Sequence, residues 1–229
     1  MMGELLTDLN FEEWIVHTFD RPVPEKKKWY VYDDGGDGVG ADEAELEPAT
    51  VLEYTTRLFR DCGSLLEPYS DAQLNQALWY LVSDGTSDLY CLADTSLPLD
   101  DSLACVASMT LVYEQCFLPR CTDHLGHCNE TGGRLNPICY MWWDIFPLYG
   151  QPNDVHRREI DDACLKVMET ALGLSSVACQ ESALHGLGHW IRSYPERCRQ
   201  IVRSFIKDNQ RARPDLLTYA EEASKGRVL

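Results

Sequence analysis

Apolar side chains recur along this chain at helical spacing almost from end to end. Phe11, Trp14, Ile15, Thr18 and Phe19 fall on one helical face, because steps of three and four residues return to the same side of an α-helix. Asn10 precedes them and Glu13 follows three residues later, the order of a capping box. Val51, Tyr54, Thr55, Leu58 and Phe59 form a second stripe behind Pro48, a residue suited to a first helical turn. Leu74, Ala77, Leu78, Leu81 and Val82 form a third, opened by Ser70 and Gln73 as another capping box. Residues 101–117 are apolar on most sides, as a central buried helix is.

The second half is as regular. Ile160, Ala163, Cys164, Val167, Met168 and Ala171 make one stripe that ends near Gly173. Ala183, Leu184, Leu187, Trp190 and Ile191 make the next. Cys198, Ile201, Val202, Phe205 and Ile206 follow Pro195, and Leu216, Leu217, Ala220 and Ala223 follow Pro214. Only WYVY (29–32) has strand character, and one short run makes no sheet. The pattern predicts a single all-α domain over 1–229, with about eight or nine helices.

Helix–turn–helix spacing in 176–209, with Tyr194-Pro195 in the turn, suggests stacked helix pairs. The block CQESALHGLGHW (179–190) resembles the first helix of a HEAT-like unit in bacterial proteins. With FEEWIVHTFDRPV (11–23), YSDAQLNQALWYLVSD (69–84) and CYMWWDIFPLYG (139–150), it is similar to a family of bacterial proteins of unassigned activity. The resemblance implies an irregular α-solenoid with a HEAT-like C-terminal part at 155–229, and it carries no catalytic residues. No strict repeat period runs through the chain.

Composition narrows the function classes. The chain has 20 Lys and Arg against 37 Asp and Glu, a net charge of −17. That argues against nucleic acid or an anionic membrane as partner, since both need a positive footprint. No apolar run approaches the ~18 residues of a membrane span. The first 14 residues, MMGELLTDLNFEEW, lack the basic and apolar regions of a signal peptide. The ten cysteines are therefore expected reduced, in a cytoplasmic protein. Residues 1–50 hold 13 acids and 4 bases, so −9 of the −17 lies there and −8 remains for the rest. Much of it falls in DDGGDGVGADEAELE (33–47), a stretch expected to be a mobile, solvated acidic loop. Asp33, Asp37 and Gly38 match part of a calcium loop, but position three is Gly35 and position twelve is Ala44. Without the bidentate acid, calcium is not expected.

Two clusters point to metal chemistry. The connection at 119–138 carries Cys121, His124, His127 and Cys128, with Cys116 before it and Cys139 after it. Zinc takes thiolate and imidazole ligands in a tetrahedron, and Cys121 and His124 have knuckle spacing. His185 and His189 stand at i and i+4 on one helix face, with Glu181 one turn earlier. A site of Cys121, His124, His185 and His189 is stereochemically reasonable if the loop folds over the helix. Neither cluster has a standard paired zinc pattern, and Gly186 replaces the general base of an HExxH helix. Packing is therefore the first expectation for these residues, and zinc the alternative.

No nucleophile elbow or phosphate-binding loop occurs. These features predict a non-catalytic protein–protein interaction module, of immunity or inhibitor type, that engages a basic partner such as a toxin or effector. Asp33, Asp34, Asp37, Trp142 and Trp143 are its candidate partner-binding residues, and no cofactor is needed. The alternative is a zinc-binding protein or metal-dependent hydrolase.

Overall fold

A computed structural model describes residues 5–23 and 43–228. The loop acids Asp33, Asp34 and Asp37, the calcium-like positions up to 38 and the WYVY run lie outside these residues. β1 (Leu5–Leu6) and β2 (Glu43–Ala44) make a two-residue parallel pair, and everything else that is regular is helical. The fold is all-α, with eleven α-helical segments among the described residues.

The predicted helices appear where capping and periodicity place them. α1 (Phe11–Phe19) starts on Asn10, whose side chain accepts from the Glu13 N–H while Glu13 reaches back to the cap. α2 (Pro48–Arg60) has its proline in the first turn. The short α3 (Cys62–Leu65) is followed by α4 (Asp71–Val82), whose Ser70–Gln73 capping box is complete. A tight 3₁₀ segment (Asp88–Ala93) leads to α5 (Leu99–Leu111). The apolar run expected to be one helix is divided here. α5 passes into a π-helical turn (Val112–Phe117) and then α6 (Leu118–Arg120). The turn buries Tyr113, whose hydroxyl hydrogen-bonds Ser182 Oγ at 2.8 Å.

A 3₁₀ turn (Gly126–Cys128) lies in the long connection, followed by α7 (Asn136–Ile145). α7 is the aromatic block, and its buried residues Ile138, Cys139, Trp142 and Trp143 recur at helical spacing, with Pro137 and Asp144 on the exposed side. Trp142 packs against Phe59, Tyr113 and Phe117, and Trp143 against Phe146 and Trp190. Both tryptophans are core residues, so their expected role as partner-binding side chains is corrected: a ring buried on all sides has no face to offer.

α8 (Arg158–Leu172), α9 (Val177–Trp190), α10 (Pro195–Asp208) and α11 (Pro214–Ala223) complete the chain. Packing neighbours string the longer helices into two rows, α1–α4–α7–α9–α11 and α2–α5–α8–α10. α8 and α10 join the rows by packing on α9. α9 is the centre of this arrangement and is buried along nearly its whole length.

α7 and α9 pack closely against each other. A Cβ placed on Gly186 would lie 2.6 Å from the Trp143 side chain, so only glycine lets the helices meet at this spacing. That contact sets the distance between Asp144 on α7 and the histidines on α9.

The loop between α7 and α8 is held by Asp161, a buried carboxylate. It accepts from the Gln151 N–H at 2.5 Å, Arg157 Nη2 at 3.2 Å and the Tyr194 hydroxyl at 2.8 Å. A buried charge survives when it is paired and fully hydrogen-bonded, and this one is.

Candidate functional site

Three polar side chains lie on one face of α9 at i, i+4 and i+8: Glu181, His185 and His189. Glu181 and His185 are buried, and His189 reaches solvent at the helix end. Each is met by a residue from another element.

At the outer end, α7 delivers Asp144. Its Oδ1 lies 3.1 Å from His189 Nε2, and His189 Nε2 lies 3.2 Å from His185 Nε2. One ligand atom from each of Asp144, His185 and His189 falls within 4.8 Å of the other two. Atoms about 2.1 Å from a shared ion, at tetrahedral or octahedral angles, are about 3.0–3.4 Å apart. The two short separations match the edges of such a polyhedron.

The depth of His185 keeps it ready to coordinate. Burial, with the nearby His189 and His127, holds its pKa down to about 3. It is neutral at physiological pH, and a neutral imidazole is the form that binds metal. His185 Nδ1 meets the Tyr219 hydroxyl of α11 at 2.6 Å, and Tyr219 meets the Tyr140 hydroxyl of α7 at 3.4 Å. A phenol on the far nitrogen fixes the orientation of the ring and leaves Nε2 aimed at Asp144 and His189. Asp144 and His189 keep side-chain exposures of 35% and 37%, so the outer side of the cluster is open to water.

At the inner end, Glu181 receives the 126–128 turn. Its carboxylate accepts from the Gly126 N–H at 2.9 Å, the His127 N–H at 3.0 Å and His127 Nδ1 at 2.6 Å. The His127 ring stacks on Tyr219 with centroids 4.0 Å apart. Its other nitrogen, Nε2, lies 3.3 Å from the sulfur of Cys128, which is exposed. Burial and the Asp215, Glu130 and Glu181 carboxylates push the Cys128 thiol upward, so it rests protonated. The loop is also tied by Glu130, which accepts from the Leu125 N–H and from Arg213. Arg213 holds the Glu130 carboxyl down to about 2.

Of the four residues expected to share a metal, His185 and His189 come together and Cys121 and His124 stand elsewhere. His124 Nδ1 bonds the Thr122 hydroxyl at 2.9 Å, inside a small network around Asn136. The Cys121 thiol turns inward to Cys139, which also meets Cys179. The loop packs against α9 at Glu181, one turn short of the histidines, so the predicted four-residue set is not assembled. Asp144 and Tyr219 were missed, and no spacing in the sequence connects them to His185. His127 stood inside the predicted cluster, but its partner is a carboxylate.

No family model matches the chain, and neither a curated protein nor a solved structure is similar enough to be matched.

Proposed function

We propose that this protein binds one divalent transition-metal ion through Asp144, His185 and His189 and uses it to activate water. The observation that carries this reading is the convergence of Asp144 Oδ1, His185 Nε2 and His189 Nε2 at 3.1 and 3.2 Å. Two imidazoles and one carboxylate suit zinc. They also suit iron or manganese, and geometry with metal supply decides among these. Three protein ligands leave at least one position for water, the pattern of catalytic rather than structural zinc sites. An ion there would lower the pKa of its water toward ~7 and polarise a carbonyl or phosphoryl oxygen, which makes hydrolysis the reaction class. Tyr219 acts as the positioning residue that holds His185.

Calorimetric titration of chelator-treated protein with Zn(II) tests the reading. One equivalent of tight binding is expected, lost in an Asp144→Asn, His189→Ala double variant that melts like the parent. Equal binding by parent and variant would sink it.

The net charge of −17 favours a second reading, an interaction module for a basic partner. Binding that weakens steeply with salt is its signature. The two rows of neighbouring helices support describing the fold as an irregular, HEAT-like stack of helix pairs. The likeness to a bacterial helical family rests on the four sequence blocks alone. Among the described residues no helix is long and apolar enough to cross a membrane. All ten cysteines are free and eight are buried, which supports a reducing, cytoplasmic setting.

A further inference from the structure

We infer that Cys128, His127 and Glu181 form an assisted-thiol site that accepts an acyl group from an activated ester or thioester. The site uses none of the proposed metal ligands, although His127 lies near His185, with Tyr219 stacked against both rings.

The inference starts from the tautomer of His127. Glu181 is almost completely buried and receives two backbone N–H groups together with His127 Nδ1. A carboxylate that accepts from its neighbours requires the proton on Nδ1. Nε2 then carries the lone pair, and Nε2 is the nitrogen 3.3 Å from Cys128 Sγ. The thiol is therefore the donor to the imidazole. Nucleophile, base and orienting carboxylate stand in the order that nucleophilic catalysis uses. The ring has little freedom to leave, because it is stacked on Tyr219 at 4.0 Å. Cys128 is the exposed member, so an electrophile reaches the sulfur without unfolding the turn. The charged and titratable groups around the pair are Glu181, Asp215, Glu130 and Arg213, with Tyr140, Tyr219 and His185 behind them.

The surrounding acids oppose a free thiolate, so the proton must leave as the sulfur attacks. The Sγ electron pair forms a bond to the carbonyl carbon, and the S–H proton moves to His127 Nε2. The carbon–oxygen or carbon–sulfur bond of the leaving group breaks, and the leaving atom takes that proton. The product is an S-acylated Cys128 with His127 again neutral, and no oxidant or reductant is consumed. Cys128 is the nucleophile, His127 the base, and Glu181 a positioning residue.

The probe is p-nitrophenyl acetate, applied to the full chain in the presence of chelator. Acetylation at Cys128 is followed by peptide mass spectrometry from pH 5 to 10, with melting temperatures measured alongside. A general base contributes at least about a hundredfold in typical cases, and a drop of about tenfold or more is expected in His127→Asn. The wild-type rate is expected to level off below the ~8.5 at which an ordinary thiol ionises. Glu181→Gln, whose amide can present a donor to Nδ1 and reverse the tautomer, is expected to restore the ordinary thiol profile. A wild-type rate that simply follows thiol ionisation overturns the inference, and so does an unchanged rate in folded His127→Asn. If either variant fails to fold, the wild-type profile decides. Because chelator is present throughout, loss of the metal reading leaves this result intact.

Discussion

Glu181 and His189 lie two turns apart on the same face of α9, and each meets a partner brought from elsewhere in the chain. Glu181 is buried and accepts three hydrogen bonds from one turn of the 121–130 loop. His189 is partly exposed, and its Nε2 is shared between Asp144 and His185. The inner end is closed electrostatically, with each donor matched to an acceptor. The outer end brings a carboxylate and two imidazoles together at 3.1 and 3.2 Å. Polar groups at the first end tie the 126–128 turn to α9 and orient His127, and at the second one ligand atom from each of Asp144, His185 and His189 lies within 4.8 Å of the others. Tyr219 joins the ends, stacking on His127 and bonding His185.

The sharpest way to break this contrast is to remove a side chain from each end. Glu181→Ala leaves two backbone N–H groups and His127 without their acceptor. A loss on the order of 3–5 kcal/mol is expected from denaturant unfolding, the same with metal or with chelator. Gly186→Ala drives a Cβ to 2.6 Å from Trp143, and overpacking of this kind costs about 1–3 kcal/mol. It also shifts Asp144 relative to both histidines, so weaker metal binding should accompany the fall in melting temperature. Asp144→Asn removes only a half-exposed ion pair, and in chelator it should change stability by less than about 1 kcal/mol. The metal-dependent rise in melting temperature should vanish in that variant, whereas it should persist in Glu130→Gln.

The smallest effect concerns pH. Arg213 and the Leu125 N–H hold the Glu130 carboxyl near 2 in the folded chain, below the ~4.3 of an unfolded glutamate. The stabilisation is complete above the unfolded value and is lost as pH falls toward 2, because the unfolded chain takes up the proton first. Glu130→Gln should flatten that part of an acid-denaturation curve and leave neutral-pH metal binding unchanged.

The fold was legible wherever local chemistry decides it. Asn10–Glu13 and Ser70–Gln73 close their capping boxes as their spacing requires, and the proline-led helices begin at Pro48, Pro195 and Pro214. α7 carries the same helical period in Ile138, Cys139, Trp142 and Trp143, but its aromatic side chains suit a partner surface as well as a core, so its place was not settled by composition. The site divides in the same way. His185 and His189 could be paired from their i,i+4 spacing, because a helix fixes that geometry within one segment. Asp144 could not, since its place depends on the close α7–α9 packing that Gly186 permits. Cys121 and His124 misled because knuckle spacing constrains a loop only when an ion gathers it. Here Asn136 and Thr122 organise that loop instead.

An anomalous difference map from crystals soaked in Zn(II) reads the metal position directly. A single strong peak is expected about 2.0–2.2 Å from Asp144 Oδ1, His185 Nε2 and His189 Nε2. A peak at Cys121 and His124, or none among Asp144, His185 and His189 at saturating zinc, would contradict the proposed site.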